Sequence, residues 1–139
     1  MGGYLKQIIR EGELRKRKDD KKIKEKIFPK RGDEVEIHYT VKQKNSETII
    51  DSSRQKSMPY RFQCGQAQII RGIDEAVLKM SLGERAILNI SSNYGYGKRG
   101  VKEIIRPNAE LVVDVEILEI NGVKAKLRFR RKHFFSFFK

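Results

Sequence analysis

The sequence is poor in the residue types that commonly build metal sites and nucleophilic catalytic centres. It contains one cysteine and two histidines among 139 residues. Cys64 cannot form a disulfide within the chain, which favours a reducing compartment; we expect a cytoplasmic protein, with the nucleus as the alternative. His38 has no cysteine or aspartate partner at ligand spacing, and His133 lies far away in the C-terminal segment. The sequence therefore predicts no metal site, no cofactor and no Ser-His-Asp triad.

Long apolar segments are also absent. No run approaches the roughly 18 apolar residues that a membrane-spanning helix requires. The first residues, Met-Gly-Gly-Tyr-Leu-Lys-Gln, contain no apolar core of a secretory signal. Lys6 stands where a myristoylation signal has Ser or Thr. We therefore expect neither a signal peptide nor a lipid anchor.

Positive charge is abundant and unevenly distributed. The formal net charge is +13. Residues 1–33 hold 12 basic and 6 acidic residues, residues 121–139 hold 7 basic and none acidic, and residues 34–120 hold 12 of each. A neutral central region therefore carries two basic extensions, a layout typical of interaction tails.

Apolar periodicity predicts several strands and one short helix. Alternating apolar residues indicate strands at 4–10, 35–41, 48–50, 60–63, 86–91 and 110–120. Ile70, Ile73, Val77 and Met80 recur at helical spacing. Residues 13–26 lack an apolar stripe and predict a solvated loop or a marginal helix. The predicted fold class is α+β, a half-open antiparallel sheet wrapped on one short helix, with basic extensions.

Short motifs occur in an order that resembles the FKBP family, the macrolide-binding peptidyl-prolyl cis/trans isomerases. The matching motifs are His38-Tyr39-Thr40, Asp51-Ser52-Ser53-Arg54, Tyr60-Arg61-Phe62, Ile69-Ile70-Arg71-Gly72, Met80-Ser81-Leu82-Gly83-Glu84, Tyr94-Gly95-Tyr96-Gly97 and Ile104-Ile105-Arg106-Pro107. The resemblance implies a first-strand segment at 1–12, a charged insertion at 13–27, an isomerase domain at 28–120 and a basic, aromatic tail at 121–139.

The resemblance also implies an apolar pocket between helix and sheet. Its expected catalytic residues are Tyr39, Asp51, Ile70 and Tyr96. Asp51 is expected to bond Tyr39 beside the reacting carbonyl, while Tyr96 and the Ile70 N–H bond ligand carbonyls. The expected substrate-binding residues are Ile50, Tyr60, Phe62, Ile69, Ile73, Ile104, Ile105 and Val113. The implied activity is isomerisation of X-Pro bonds by binding the twisted amide, with macrolides of the rapamycin type as possible ligands.

Three pocket positions depart from the family pattern. Ile50 stands where the family commonly has Phe, Ile73 where it often has Trp, and Val113 where it has Phe. We expect a wider, less shape-specific pocket, reduced activity and weaker macrolide binding. The alternative function is a weakly active or inactive scaffold module that docks through its basic tails.

A glycine pattern and a tail offer further functions. Residues 95–100 match GxGxxG, but a dinucleotide site needs a helix directly after it, and residues 101–107 are too short and end in proline.

In the tail, basic residues interleave with aromatic ones, so it either folds back on the sheet edge or docks on an acidic partner. That partner is a nucleic acid, an anionic membrane or an acidic protein assembly, contacted through residues 121–139 and 15–31. Apart from it, a monomer is expected.

Overall fold

Alternating apolar side chains place nearly every strand of this protein in one antiparallel sheet. The computed structural model describes residues 2–126; most of the predicted basic, aromatic tail, residues 127–139, lies outside the described residues. In chain order the elements are β1 Tyr4–Arg10, β2 Arg15–Lys16, β3 Lys24–Glu25, β4 Glu34–Gln43, β5 Ile49–Ser52, β6 Tyr60–Gln63, α1 Arg71–Val77, β7 Arg85–Ile90, a 3-10 turn Ser92–Tyr94, β8 Leu111–Ile120 and β9 Val123–Lys124.

The main sheet has seven strands: five follow the order β1-β7-β8-β4-β5, and β6 and β9 pair with β4 and β8 outside this path. Strand β4 pairs with β8 along its whole length, and on its other edge it pairs first with β6 and then with β5. Strand β9 pairs with the end of β8. The predicted antiparallel sheet with one short helix is thus confirmed.

Helix α1 packs on the sheet at close range. A Cβ atom at Gly72 would lie 2.6 Å from Cγ2 of Ile90, so only glycine allows this approach to β7. Ile73 and Val77 of the helix are buried together with Val113, Val115 and other apolar residues of the central strands. Burying side chains of this size contributes about 1.5–3 kcal/mol each.

The structure corrects the prediction for residues 13–26, which form a β2–β3 hairpin rather than a loop or a marginal helix. Arg15 pairs with Glu25 and Lys16 with Lys24 in this small separate sheet. The apolar periodicity of the sequence does not predict this hairpin, because charge pairs and not an apolar stripe accompany the pairing of its strands. Arg17 contacts Asp19 at one end of the turn and Glu25 across it.

Two predicted boundaries also move. Asp51 and Ser52 belong to strand β5 and not to the following loop, because they pair with Val41 and Thr40. The predicted tail begins with a strand of the main sheet, since β9 lies within it. Among residues 2–126, no helix is long and apolar enough to cross a membrane.

Asp74 of α1 fixes the loop that leads into the helix. Its side chain is buried and accepts hydrogen bonds from the backbone N–H groups of Gly65, at 2.7 Å, and Ala67, at 3.1 Å. Both of those residues have positive φ angles, so the loop has a tight, defined shape. The bonds hold the segment that carries Ile69 and Ile70.

Replacing Asp74 with Ala is expected to lower the free energy of unfolding by about 1–3 kcal/mol, because two amide groups lose their acceptor. Glu75→Ala, which removes the neighbouring carboxylate and its exposed pair with Arg71, is the matched control with an expected loss of about 0.5 kcal/mol or less. Urea denaturation measures both. Equal losses in the two variants would contradict the role of Asp74.

Candidate functional site

The site is built around a hydrogen bond between two neighbouring strands. Tyr39 of β4 donates its hydroxyl proton to Oδ2 of Asp51 of β5 at 2.7 Å. The Tyr39 side chain is buried at the edge of the core. Because β5 continues through Asp51, the carboxylate is held by the register of the sheet and not by a mobile loop.

Lys56 is a third member of this group that the sequence reasoning missed. Its Nζ lies 2.8 Å from Oδ1 of Asp51. The loop after β5 folds back through backbone hydrogen bonds from Lys56 to Ser52 and from Met58 to Ser53, which returns the lysine to the strand it left. In the sequence, the signal for this contact was a basic residue five positions after the acid.

The environment shifts the pKa values of this group in opposite directions. Burial works to raise the pKa of Asp51, but the hydrogen bonds from Lys56 and Tyr39 outweigh it and the pKa is lowered. Burial, followed by the hydrogen bond to Asp51, raises the pKa of Tyr39 above its ordinary value. At neutral pH the acid is therefore ionised and the phenol protonated.

Aromatic rings from β6 form one wall beside this pair. Tyr60 meets Tyr39 edge to face, with ring centroids 6.1 Å apart. Phe62, two residues further on the same strand, stacks on Tyr60 with a centroid distance of 5.4 Å. The Tyr60 hydroxyl donates to the carbonyl of Gln68 at 3.1 Å, which joins the wall to the loop before α1. Alternation along β6 thus brings together Tyr60 and Phe62, as the sequence predicts.

The loop before α1 supplies the next part of the site. Ile69 and Ile70 are half-buried and pack against the apolar core. The Ile70 carbonyl accepts the first hydrogen bonds of the helix, from Ile73 and Asp74. The backbone N–H of Ile70 has no hydrogen-bond partner among residues 2–126, so this group remains available as a donor.

The long connection between β7 and β8 contributes three predicted site residues. Tyr96 and Ile104 are exposed, while Ile105 is buried. Burial and, after it, the negative charge of Asp51 raise the pKa of Tyr96, as expected of a phenol that shares an environment with that carboxylate. Gln43, at the end of β4, fixes the connection by bonding the Ile104 carbonyl at 3.3 Å and the Arg106 N–H at 3.0 Å.

The three aliphatic replacements differ in their placement. Ile50 is half-buried, beside Asp51 on β5. Ile73 and Val113 are almost completely buried and form part of the hydrophobic core. At these two positions an aromatic ring would have to displace packed neighbours.

Three comparisons identify the proteins to which this chain is similar. Residues 25–118 match the family model described as FKBP-type peptidyl-prolyl cis-trans isomerase. The chain is 51% identical over 96 residues to "FK506-binding protein 1" of Yarrowia lipolytica, covering 69% of this chain and 88% of that protein. It is 49% identical over 98 residues to "Peptidyl-prolyl cis-trans isomerase" of Schizosaccharomyces pombe, covering 70% and 87%.

A solved structure agrees at the level of the fold. The N-terminal domain of FKBP42 from Arabidopsis thaliana superposes with a TM-score of 0.70 at 26% sequence identity, covering 85% of this chain and 86% of that one. The family match spans well over half of the chain and includes strand β4, with Tyr39, and strand β5, with Asp51. This chain belongs to the FKBP-type peptidyl-prolyl cis-trans isomerase family.

Proposed function

We propose that this chain catalyses the cis/trans isomerisation of X-Pro peptide bonds in the site between β5, β6, α1 and the β7–β8 connection. The reaction is the one for which its family is named. The observation that carries the assignment to this site is the 2.7 Å hydrogen bond between Tyr39 and Asp51, placed beside the aromatic wall of Tyr60 and Phe62. The alternative of an inactive scaffold is not favoured, because these four residues are retained.

The proposed mechanism follows from amide resonance. Rotation about a peptide bond has a barrier of about 18–20 kcal/mol because the planar form is stabilised by charge separation between nitrogen and carbonyl oxygen. Water stabilises that charge, and an apolar pocket does not. A site lined by Tyr60, Phe62 and Ile105 therefore binds the twisted amide more strongly than the planar one, which lowers the barrier.

Polar groups at the rim of the pocket are proposed to orient the bound peptide as well. The Ile70 N–H and the Tyr96 hydroxyl are proposed to donate hydrogen bonds to carbonyl groups of the bound peptide. The Asp51 carboxylate, held by Tyr39 and Lys56, is proposed to lie beside the reacting carbonyl. There it disfavours the planar amide, whose oxygen carries more negative charge than that of the twisted form.

The aliphatic residues at 50, 73 and 113 are proposed to weaken binding of proline rings and macrolides without abolishing either. The Yarrowia relative is named for binding FK506. We propose that this chain binds macrolides of the FK506 and rapamycin type at the same site, with an affinity limited by the lost aromatic contacts. We further propose that it acts as a monomer in the cytoplasm or the nucleus.

The full chain is expected to accelerate isomerisation of an Ala-Leu-Pro-Phe peptide, and rapamycin to suppress the acceleration. Asp51→Val is expected to lower kcat about tenfold, since losing the carboxylate raises the barrier for the bound peptide by about 1.4 kcal/mol. Glu47→Val, which removes a fully exposed carboxylate from the β4–β5 connection, serves as the control. Unchanged turnover in a folded Asp51 variant would contradict its role, and no acceleration by the full chain would contradict the proposed function.

Ile50→Phe is expected to tighten macrolide binding about three- to tenfold, because a half-buried ring adds apolar contact area to the pocket wall. Ile49→Phe is the matched control, because the neighbouring side chain points to the other face of β5 and is exposed. Calorimetric titration with FK506 measures both dissociation constants. An equal gain in both variants would show that general hydrophobicity, and not the pocket, is responsible.

We propose in addition that the two basic extensions bind one acidic partner together. Lys126 donates its N–H to the Glu13 carboxylate at 3.0 Å, and Arg15 contacts the Lys124 carbonyl. The start of the predicted tail therefore lies against the β2–β3 hairpin, so that the positive charges of both segments can act on the same partner.

Deleting residues 127–139 is expected to weaken binding to an acidic probe at least tenfold while isomerisation is retained. Polyglutamate, single-stranded DNA and vesicles containing phosphatidylserine distinguish the three classes of partner, and each titration is repeated in increasing salt, which should weaken the binding. Full binding by the deletion variant, or binding by the full chain to none of the probes, would exclude this role of the tail.

A further inference from the structure

The loop that follows Tyr96 carries a cluster of cationic side chains beside the proposed site. Within residues 97–107, which we call the loop, Lys98, Arg99, Lys102 and Arg106 are all exposed, and Glu103 is the single acid. The two site residues Ile104 and Ile105 belong to the same loop. A peptide held by these isoleucines therefore passes close to several positive charges.

These cations differ from several others on or beside the sheet that bind carboxylates of the protein itself. Arg10 and Arg54 both bond the buried carboxylate of Glu116, at 2.5 and 2.8 Å. Arg85 bonds Asp114 at 2.7 Å. In contrast, none of the four loop cations forms an ion pair with any of residues 2–126. Their charge contributes no such contact to the fold and is available to a ligand.

The loop also borders a partly open cavity. A cavity of about 670 Å³ is lined by the cationic residues Arg99, Lys102 and Arg106, the acid Glu103, and Gly100, Ile104, Ile105 and Pro107. The isoleucines and the proline provide apolar surface, and the three cationic residues lie around it. This combination suits an amphipathic chain segment that presents a negative charge.

The loop is held in one shape, so its charges are preorganised. Val101 and Ile105 form a β-bridge. Gly100 has a positive φ of 62°, and a Cβ there would lie 2.2 Å from the Ile105 carbonyl oxygen. Gln43 joins the loop to the end of β4 by two hydrogen bonds. A fixed arrangement reduces the entropy lost when a charged ligand binds.

We propose that this loop selects X-Pro substrates that carry an anionic side chain, a carboxylate or a phosphate, within about three residues of the proline. This inference rests on the proposed isomerase function and adds a substrate class to it. Three residues of extended chain span about 10 Å, so the anion reaches the loop while the proline stays in the pocket. The loop residues act on substrate binding, and the effect is expected mainly in KM rather than in kcat.

The test compares peptides that share one Ala-Leu-Pro-Phe core and differ in a single flanking residue. Glu, phosphoserine, Ser, Ala or Lys is placed in turn at each of the three positions on either side of the Leu-Pro dipeptide. We expect kcat/KM for the best anionic peptide to exceed that of its Ala counterpart about three- to tenfold at low salt, a range typical of several exposed charge pairs. In about 0.5 M NaCl the ratio should approach one.

Matched variants assign the effect to the loop. Arg99→Gln, Lys102→Gln and Arg106→Gln together should reduce the anion-to-Ala ratio to about one. The control combines Lys42→Gln, Lys44→Gln and Lys79→Gln, which remove the same charge from exposed or half-buried positions outside the loop and outside the basic extensions and should leave the ratio unchanged. Comparing the Glu and phosphoserine series identifies which anion is preferred.

The outcomes separate this inference from the proposed function. Isomerisation of all peptides with a ratio of one at every position would overturn the inference and leave the function intact. If no peptide is isomerised, the proposed function fails, and dissociation constants for the same peptides by fluorescence anisotropy then decide the anion preference. A ratio that falls equally in both triple variants would overturn the assignment to this loop.

Discussion

The pairing of strand β4 on both of its edges is the constraint on which the site depends. On one edge β4 is bound to β8 from Val35 to Gln43, which anchors it in the middle of the sheet. On the other edge, β6 and then β5 use the remaining hydrogen-bonding groups in succession. As a result, β4 holds Tyr39 beside the carboxylate of Asp51 and the ring of Tyr60. Through Gln43, the same strand is also joined to the β7–β8 connection. A change in the register of β4 by one residue would turn Tyr39 to the opposite face and separate all of these groups.

Charge is used in two distinct ways in this protein. On the sheet, positive side chains lie against buried carboxylates; Arg61, for example, contacts Glu36 at 2.7 Å and Glu119 at 3.1 Å. Removing one member of such a pair leaves a buried charge unsatisfied, so these residues serve stability. On the β7–β8 connection the positive side chains have no such partners among residues 2–126. Within the neutral central region of the sequence, some positive charges therefore stabilise the fold, and others are available to a ligand.

Much of the fold and of the site was predictable, because both depend on apolar residues with a clear period. The strands containing Tyr39 and Phe62, and the helix containing Ile73, follow directly from alternation and helical spacing. The placement of Asp51 and Tyr39 as partners came from the family resemblance, and the hydrogen bond between them is present. Whether the other predicted residues contact substrate stays a prediction.

What escaped prediction depends on contacts that periodicity does not describe. The β2–β3 hairpin has no apolar stripe, and its charge pairs form across a turn. Lys56 lies in a loop, where only the backbone hydrogen bonds of the folded chain return it to Asp51. The full burial of Ile73 and Val113 depends on the packing of α1 against the sheet, which no local pattern specifies.

The bond between Lys126 and Glu13 has a consequence for how a bound partner would meet the site. It holds Lys126 at Glu13, and residues 127–139 span at most about 45 Å even when fully extended. A protein bound by that segment would contact it within this distance of Lys126. Over such distances a tether produces an effective local concentration of about a millimolar. A pocket of the weaker affinity that we propose would still be occupied under those conditions, because proximity replaces the affinity that aromatic rings would have supplied.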